Sequence, residues 1–149
     1  MGIKIIAKNK RASYDYFLKE RFEAGIALQG TEVKSLRQGK ASIAEAYISI
    51  DRNDEIFIYN INIPQYEFGN INNHEETRKR KLLLHKKEII RIKHETKAGG
   101  MTLIPTIIYF KRSIVKLEFS LAKGKKLHDK RQDQAKKDFN RRAQRGNFE

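Results

Sequence analysis

Apolar and polar positions alternate with a period of two through several stretches of this chain, and that period predicts strands. From Phe17 to Leu28, Phe22, Ala24, Ile26 and Leu28 fall on one side, with Arg21 and Glu23 among those opposite. Gly25 lies inside this run and marks a bulge or a barrel corner. From Ala46 to Asp51, Ile48 and Ile50 share one face and Tyr47 and Ser49 the other. Arg52-Asn53-Asp54 is turn chemistry, and Glu55 to Ile63 follows as the second strand of a hairpin. Thr102 to Phe110 is nearly all apolar or β-branched. Lys111-Arg112-Ser113 turns it into Ile114 to Leu121, with Val115, Leu117, Phe119 and Leu121 inward and Lys116, Glu118 and Ser120 outward.

Two short segments carry the helical period instead. Thr31 is placed to cap a helix over Glu32 to Arg37, with Val33 and Leu36 as its buried stripe and Gly39 just past its end. A second helix runs from Lys86 to Glu95, with Ile89 and Ile92 on one side and Lys86, Lys87, Arg91 and Lys93 largely elsewhere. Gly99-Gly100 ends it before the next strand. Five or more short strands interrupted by a helix suggest a small closed barrel. An oligonucleotide-binding (OB) barrel fits this count and size, and other partly open β-barrels fit the composition as well. The chain thus divides into an N-terminal arm over residues 1–12, a folded, mainly β body over 13–122 and a tail over 123–149.

Charge decides what such a body is for. The 149 residues hold 32 Lys and Arg against 18 Asp and Glu, a formal net charge of +14. So large an excess repels itself and calls for a polyanion. Nucleic acid comes first and an anionic membrane second. The membrane reading is weak, because no apolar run approaches the roughly 20 residues of a spanning helix. Leu82-Leu83-Leu84 is hemmed in by Arg80, Lys81, His85, Lys86 and Lys87. The first eight residues are too short an apolar stretch for a signal peptide. There are no cysteines, which excludes disulfides and zinc fingers, and the cytoplasm is the expected compartment.

The positive charge is clustered at Lys8-Asn9-Lys10-Arg11, Arg78-Lys79-Arg80-Lys81, Lys86-Lys87, Lys123-Gly124-Lys125-Lys126 and Lys130-Arg131. One such cluster is an ordinary solvated face; five exceed what solubility requires. Ten Lys or Arg lie between Lys123 and Glu149, opposed by Asp129, Asp133, Asp138 and Glu149. With Leu127, Phe139 and Phe148 as its large apolar side chains, this tail cannot bury enough surface to offset its ordering entropy. It is expected to be disordered when free. Ala135, Phe139 and Ala143 recur at four-residue spacing, so a helix formed on RNA would present Phe139 in a ring of charge.

Aromatic residues beside charge are candidates for stacking on bases. Tyr14 and Phe139 fit that description, whereas Phe17 and Phe22 read as core. Catalytic patterns are missing. His74, His85, His94 and His128 are scattered, and the first three read as solvated loop residues. His74-Glu75-Glu76 lacks the second histidine of a zinc-protease helix, and Lys123-Gly124-Lys125-Lys126 lacks the rest of a phosphate loop. No catalytic residue, cofactor or metal is expected. Glu32 stands at a helix start in a basic protein. Its ordinary role there is to stabilise the helix dipole. At an RNA interface it would instead orient a neighbouring Lys or Arg.

Several segments together resemble one family. They are Asn9-Lys10-Arg11-Ala12, Asp15-Tyr16, Phe22-Glu23-Ala24-Gly25-Ile26, Gly30-Thr31-Glu32-Val33-Lys34-Ser35-Leu36-Arg37 and Gly39-Lys40-Ala41. Further along come Arg80 to His85, Pro105 with Tyr109-Phe110-Lys111, and Gly124-Lys125-Lys126 with Asp129-Lys130-Arg131. In this order, and over essentially the whole chain, they resemble the SsrA-binding proteins, also called small protein B. Two positions depart from that family: His74-Glu75-Glu76-Thr77 stands where an Asp-Pro pair is common, and Ser113 where Gly is common.

The resemblance implies an OB barrel with about three short helices. It implies a protein that binds the tRNA-like domain of transfer-messenger RNA and delivers it to stalled ribosomes for trans-translation, without itself making or breaking a bond. Its tail would enter the mRNA channel near the decoding centre and small-subunit rRNA, and become helical there. The expected RNA-binding residues are Lys8, Lys10, Arg11, Tyr14, Glu32, Lys34, Arg37, Arg78, Arg80, Lys81, Lys125 and Lys126. For the tail at the decoding centre they are His128, Asp129, Lys130, Arg131, Lys136, Lys137, Phe139, Arg141 and Arg142. A monomer is expected, with no DNA or membrane partner. The alternative is a structural rRNA-binding protein of the ribosome.

Overall fold

The long strand β2 (Tyr16–Ile26) organises a computed structural model that describes residues 2–68 and 73–144. Within the last helix, the side chains at 127–129, 133 and 140–144 lie outside that description. Before β2 come β1 (Ile3–Lys8) and the single turn α1 (Ala12–Asp15). After it come α2 (Gly30–Arg37), β3 (Tyr47–Ile50), β4 (Ile56–Tyr59), β5 (Arg80–Leu83), α3 (Lys86–Ala98), β6 (Thr102–Lys111), β7 (Ile114–Gly124) and α4 (Leu127–Gln144).

The strands form one antiparallel sheet in the order β1-β6-β7-β2-β5-β4-β3. Its two end strands, β1 and β3, are not hydrogen-bonded to each other, so the sheet is open where a closed barrel was expected. Strand β3 is only four residues long. A cleft of about 230 Å³ lies between it and the start of β6, lined by Ile48, Ile50, Met101 and Leu103 with Lys93 and Thr96 of α3. β2 changes partner at the predicted corner: Gly25 faces Lys116 of β7 and Leu83 of β5. A Cβ on Gly25 would stand 3.3 Å from the Leu83 Cβ, which is why this corner takes glycine. The bulge of β2 is elsewhere, between Leu18 and Glu20.

The predicted alternation fills the core. Val115, Leu117, Phe119 and Leu121 are all buried, and Phe119 stacks on Phe22 at 5.4 Å. Such a pair adds about 0.5–1.5 kcal/mol beyond its area. Ile89 and Ile92 close one side from α3, and Leu36 another from α2. Ser120 departs from the pattern and is buried; in register it is the small residue between Arg21 on β2 and Ile104 on β6.

Four further readings change. The arm is partly a strand: Ile3–Lys8 pairs with β6, whose edge would otherwise be bare. Arg80–Leu83, read as a charge cluster, is a strand whose inward residues are Arg80 and Leu82. The N-cap of α2 is Gln29 rather than Thr31, with Gln29 and Glu32 bonding each other's backbone in a capping box. Gly39 follows that helix with φ of 75°, as a C-terminal glycine should.

The fourth concerns the tail. β7 continues to Gly124, and residues 127–144 are helical rather than disordered. The composition that forbids a packed core does not forbid a helix, since Lys, Arg, Gln and Ala are good helix formers. The helix start is also tied down. Lys125 N–H donates to Asp15 O at 2.9 Å, and Lys130 Nζ reaches the Asp15 carboxylate at 3.1 Å. Farther along, Gln134 donates to Asp138 at 3.2 Å, one turn on.

Candidate nucleic-acid interface

Two groups of predicted residues converge in space. The first centres on Glu32, held at the third position of α2 by its bond from the Gln29 N–H, 2.8 Å. Arg78 Nη2 donates to its Oε1 at 2.5 Å, and Arg80 Nε to its Oε2 at 2.5 Å. Arg80 also donates to the carbonyls of Ile61 and Glu76, and Arg78 to that of Ala27. Burial pushes the Glu32 carboxyl up. The hydrogen bonds from Arg78 and the Gln29 N–H, with the charge of Arg80, outweigh it and hold the group below the ordinary glutamate range. Glu32 and Arg80 expose no side-chain surface, whereas Arg78 is 24% exposed. Glu32 and Arg80 therefore present no side-chain surface for the RNA contact expected of them; they fix Arg78 and the start of β5.

His74 belongs to the same node and is not a solvated loop residue. It is buried between Ile63 O, 2.7 Å from Nε2, and Thr31 Oγ1, 2.8 Å from Nδ1. A carbonyl only accepts, so Nε2 carries the proton, and in the neutral ring Nδ1 accepts from Thr31. His85 and His94 are exposed as predicted, but His94 stands inside α3 and not in a loop.

The second group surrounds α1. The Arg11 guanidinium lies 5.0 Å from the Tyr14 ring centre, with Lys130 Nζ at 5.7 Å and Lys137 Nζ at 5.8 Å. Asp15 pairs with Arg11 and Lys130, and the hydrogen bond from Arg11 first, then that from Lys130, holds its carboxyl low. Next to it Phe17 carries Lys125 Nζ at 4.9 Å and Lys19 Nζ at 5.4 Å over its ring. Lys125 Nζ also donates to Ser13 O at 2.8 Å. Two rings ringed by cations offer stacking faces beside phosphate donors.

Phe17 was read as core and is 39% exposed. It faces Lys123, one step past the point where β6 begins opposite Ala122, so no third strand covers it. Strand length, which the alternation does not report, hides this residue. Lys79, named in a basic cluster but not among the expected RNA-binding residues, has its Nζ 4.0 Å from the Phe57 ring centre.

The other expected residues are dispersed. Lys8, Lys10, Lys34, Arg37 and Lys126 are exposed. Lys34 lies over Tyr66 at 5.6 Å, and Lys81 pairs with Glu55 at 2.6 Å. Along α4, Arg131, Lys136 and Phe139 are exposed, and the side chains of His128, Asp129, Arg141 and Arg142 lie outside the described residues. Among the described residues no cluster of His, Asp and Glu could hold a metal ion, and no helix is long and apolar enough to cross a membrane.

Known proteins match this chain over nearly its full length. A family model described as SmpB protein matches residues 6–148. An SsrA-binding protein of Lachnoclostridium phytofermentans is 54% identical over 144 residues, 97% of this chain and 93% of the relative. One from Geobacter sulfurreducens is 52% identical over 141 residues, covering 95% and 92%. Among solved structures, a chain from work described as "tmRNA-SmpB: a journey to the center of the bacterial ribosome" is similar with a TM-score of 0.66. It is 45% identical, covering 80% of this chain and 84% of that one.

Proposed function

This chain belongs to the SmpB protein family, and from that premise we propose that it binds the tRNA-like domain of transfer-messenger RNA and delivers it to stalled ribosomes. The body grips the RNA; α4 serves trans-translation as a helix for the empty mRNA channel near the decoding centre. The protein makes and breaks no bond itself and works in the cytoplasm, where ribosomes are. Its sheet is an OB barrel left slightly open along the β3–β6 cleft.

The observation that carries this reading is the cationic cluster on Tyr14 and Phe17, which joins the body to the tail through Lys125 and Lys130. Stacking supplies contact with any unpaired base, and the cations supply the phosphate term. Arg78, fixed by the buried Glu32, supplies a pre-oriented donor next in sequence to Lys79.

A gel-shift comparison tests it: transfer-messenger RNA against ordinary tRNA and duplex RNA, at 50 and 200 mM salt. With about 6–10 phosphate contacts, affinity should fall a thousandfold or more over that range. Transfer-messenger RNA should stay preferred at both. Equal binding to all three RNAs would favour a general rRNA-binding role instead.

A further inference from the structure

At the far side of the molecule from α4's tether, the β6–β7 turn closes over a hollow of about 390 Å³. Lys4, Arg37, Arg112, Ser113, Phe110 and Gly2 line it. Three cations meet there and no carboxylate does. Another hollow differs: in its 600 Å³, Glu23, Asp54, Glu55 and Glu88 stand against Lys81, Lys86 and Lys116. Some cations on this surface are answered by carboxylates, as Arg91 is by Glu20 and Lys93 by Asp54; others, among the described residues, take part in no ion pair. Lys4, Arg37 and Arg112 have no such answer, among the described residues, in any ion pair.

Three like charges around one concavity repel each other, and an anion held between them relieves that repulsion. They come from three separated elements: β1, the last turn of α2 and the β6–β7 turn. Arg112 is placed at a conformational disadvantage, too. It and Ser113 hold left-handed backbone, with φ of 52° and 70°. Such hairpin turns favour Asn-Gly. Guanidinium, ammonium and hydroxyl groups lining one hollow are the donor set that a phosphate's oxygens match.

From this arrangement we propose that the hollow is a phosphate-binding site for the RNA backbone, built from Lys4, Arg37 and Arg112. It rests on the RNA-binding reading above and adds a second, separate point of contact. Phe110, buried beneath the cations, forms an apolar floor that keeps their field from spreading into the body.

The test uses the full chain and transfer-messenger RNA. Lys4→Gln/Arg37→Gln/Arg112→Gln should flatten the log affinity against log salt slope by about 2–3. Lys40→Gln/Arg52→Gln/Lys97→Gln removes the same charge elsewhere and should leave most of that slope intact. In the unmodified chain, RNA should shield Arg37 and Arg112 from phenylglyoxal at least fivefold, with Arg52 as the unshielded control; this arm needs no variant to fold. Equal slopes for the two triple variants, or equal reactivity of the three arginines with and without RNA, would overturn the site. Shielding by inorganic pyrophosphate but not by RNA would overturn the RNA backbone as its occupant. Failure of the unmodified chain to bind the RNA at all would instead strike the RNA-binding reading itself.

Discussion

Glu32 and Arg80, 48 residues apart in the chain, meet at 2.5 Å with neither side chain exposed. The pair pins the start of α2 to β5. It also determines what removing either partner does.

Glu32→Ala should cost far more than a helix cap. Loss of a capping interaction is worth about 1 kcal/mol. Here the substitution leaves Arg80 buried without its counter-charge, which costs about 3–5 kcal/mol. Chemical denaturation should show that larger loss, and RNA affinity should fall with it because Arg78 loses its anchor. A loss near 1 kcal/mol, with RNA binding weakened, would mean that Glu32 acts on RNA and not on the fold.

The same pair makes stability depend on acid. The Glu32 carboxyl titrates below its ordinary value of about 4.5 in the folded chain. The folded state therefore binds its proton less readily than the unfolded state. The resulting stabilisation is present above pH 4.5 and is lost as pH falls through the lowered value. Melting temperature should hold between pH 7 and 5 and drop below 4.5. In Glu32→Gln, which has no proton to take up there, the drop should be shallower. Identical acid profiles for the two proteins would place the acid sensitivity elsewhere.

Much of this architecture is legible in the sequence, and the failures share a cause. The β6–β7 hairpin, the β3–β4 hairpin and α3 follow from alternation and period alone, because their inward residues are apolar. β5 was hidden because its inward residue is Arg80, so the strand reads as a charge cluster. His74 was hidden for a related reason: its partners, Thr31 and Ile63, are brought to it by the fold. Pattern reading sees burial only where burial is apolar, and this site is built around buried polar groups. The five basic clusters were visible, but which cations stand over Tyr14 and which pair with carboxylates is decided by packing.

Phe17→Ala should separate binding from folding. Phe17 is 39% exposed and its ring carries two lysines. A base stacked on it is worth about 1–3 kcal/mol, or 5- to 150-fold in affinity. Filter binding to transfer-messenger RNA should show that loss with melting nearly unchanged. Tyr14→Ala should act in the same direction. If both variants bind like the parent chain, these rings are surface packing for the lysines and no more.

The last prediction concerns α4. Between residues 130 and 139 its described side chains are exposed or, at Lys130, half-buried, so the helix lends little to the core. Among the described residues it is tethered by the Lys130–Asp15 pair and by Lys130 and Lys137 over the Tyr14 ring, and contacts this open to solvent are worth about 1 kcal/mol or less each. Lys125 is different, because its backbone N–H extends the pairing of the body. A chain ending at Lys126 should therefore fold, melt within a few degrees of the parent and still bind transfer-messenger RNA. It loses Lys130 and Lys137 from the Tyr14 ring, so a several-fold weaker and less salt-sensitive complex is expected. Peptide tagging on stalled ribosomes should be abolished. If a folded chain ending at Lys126 loses RNA binding as well, grip and ribosome engagement are not divided between body and tail.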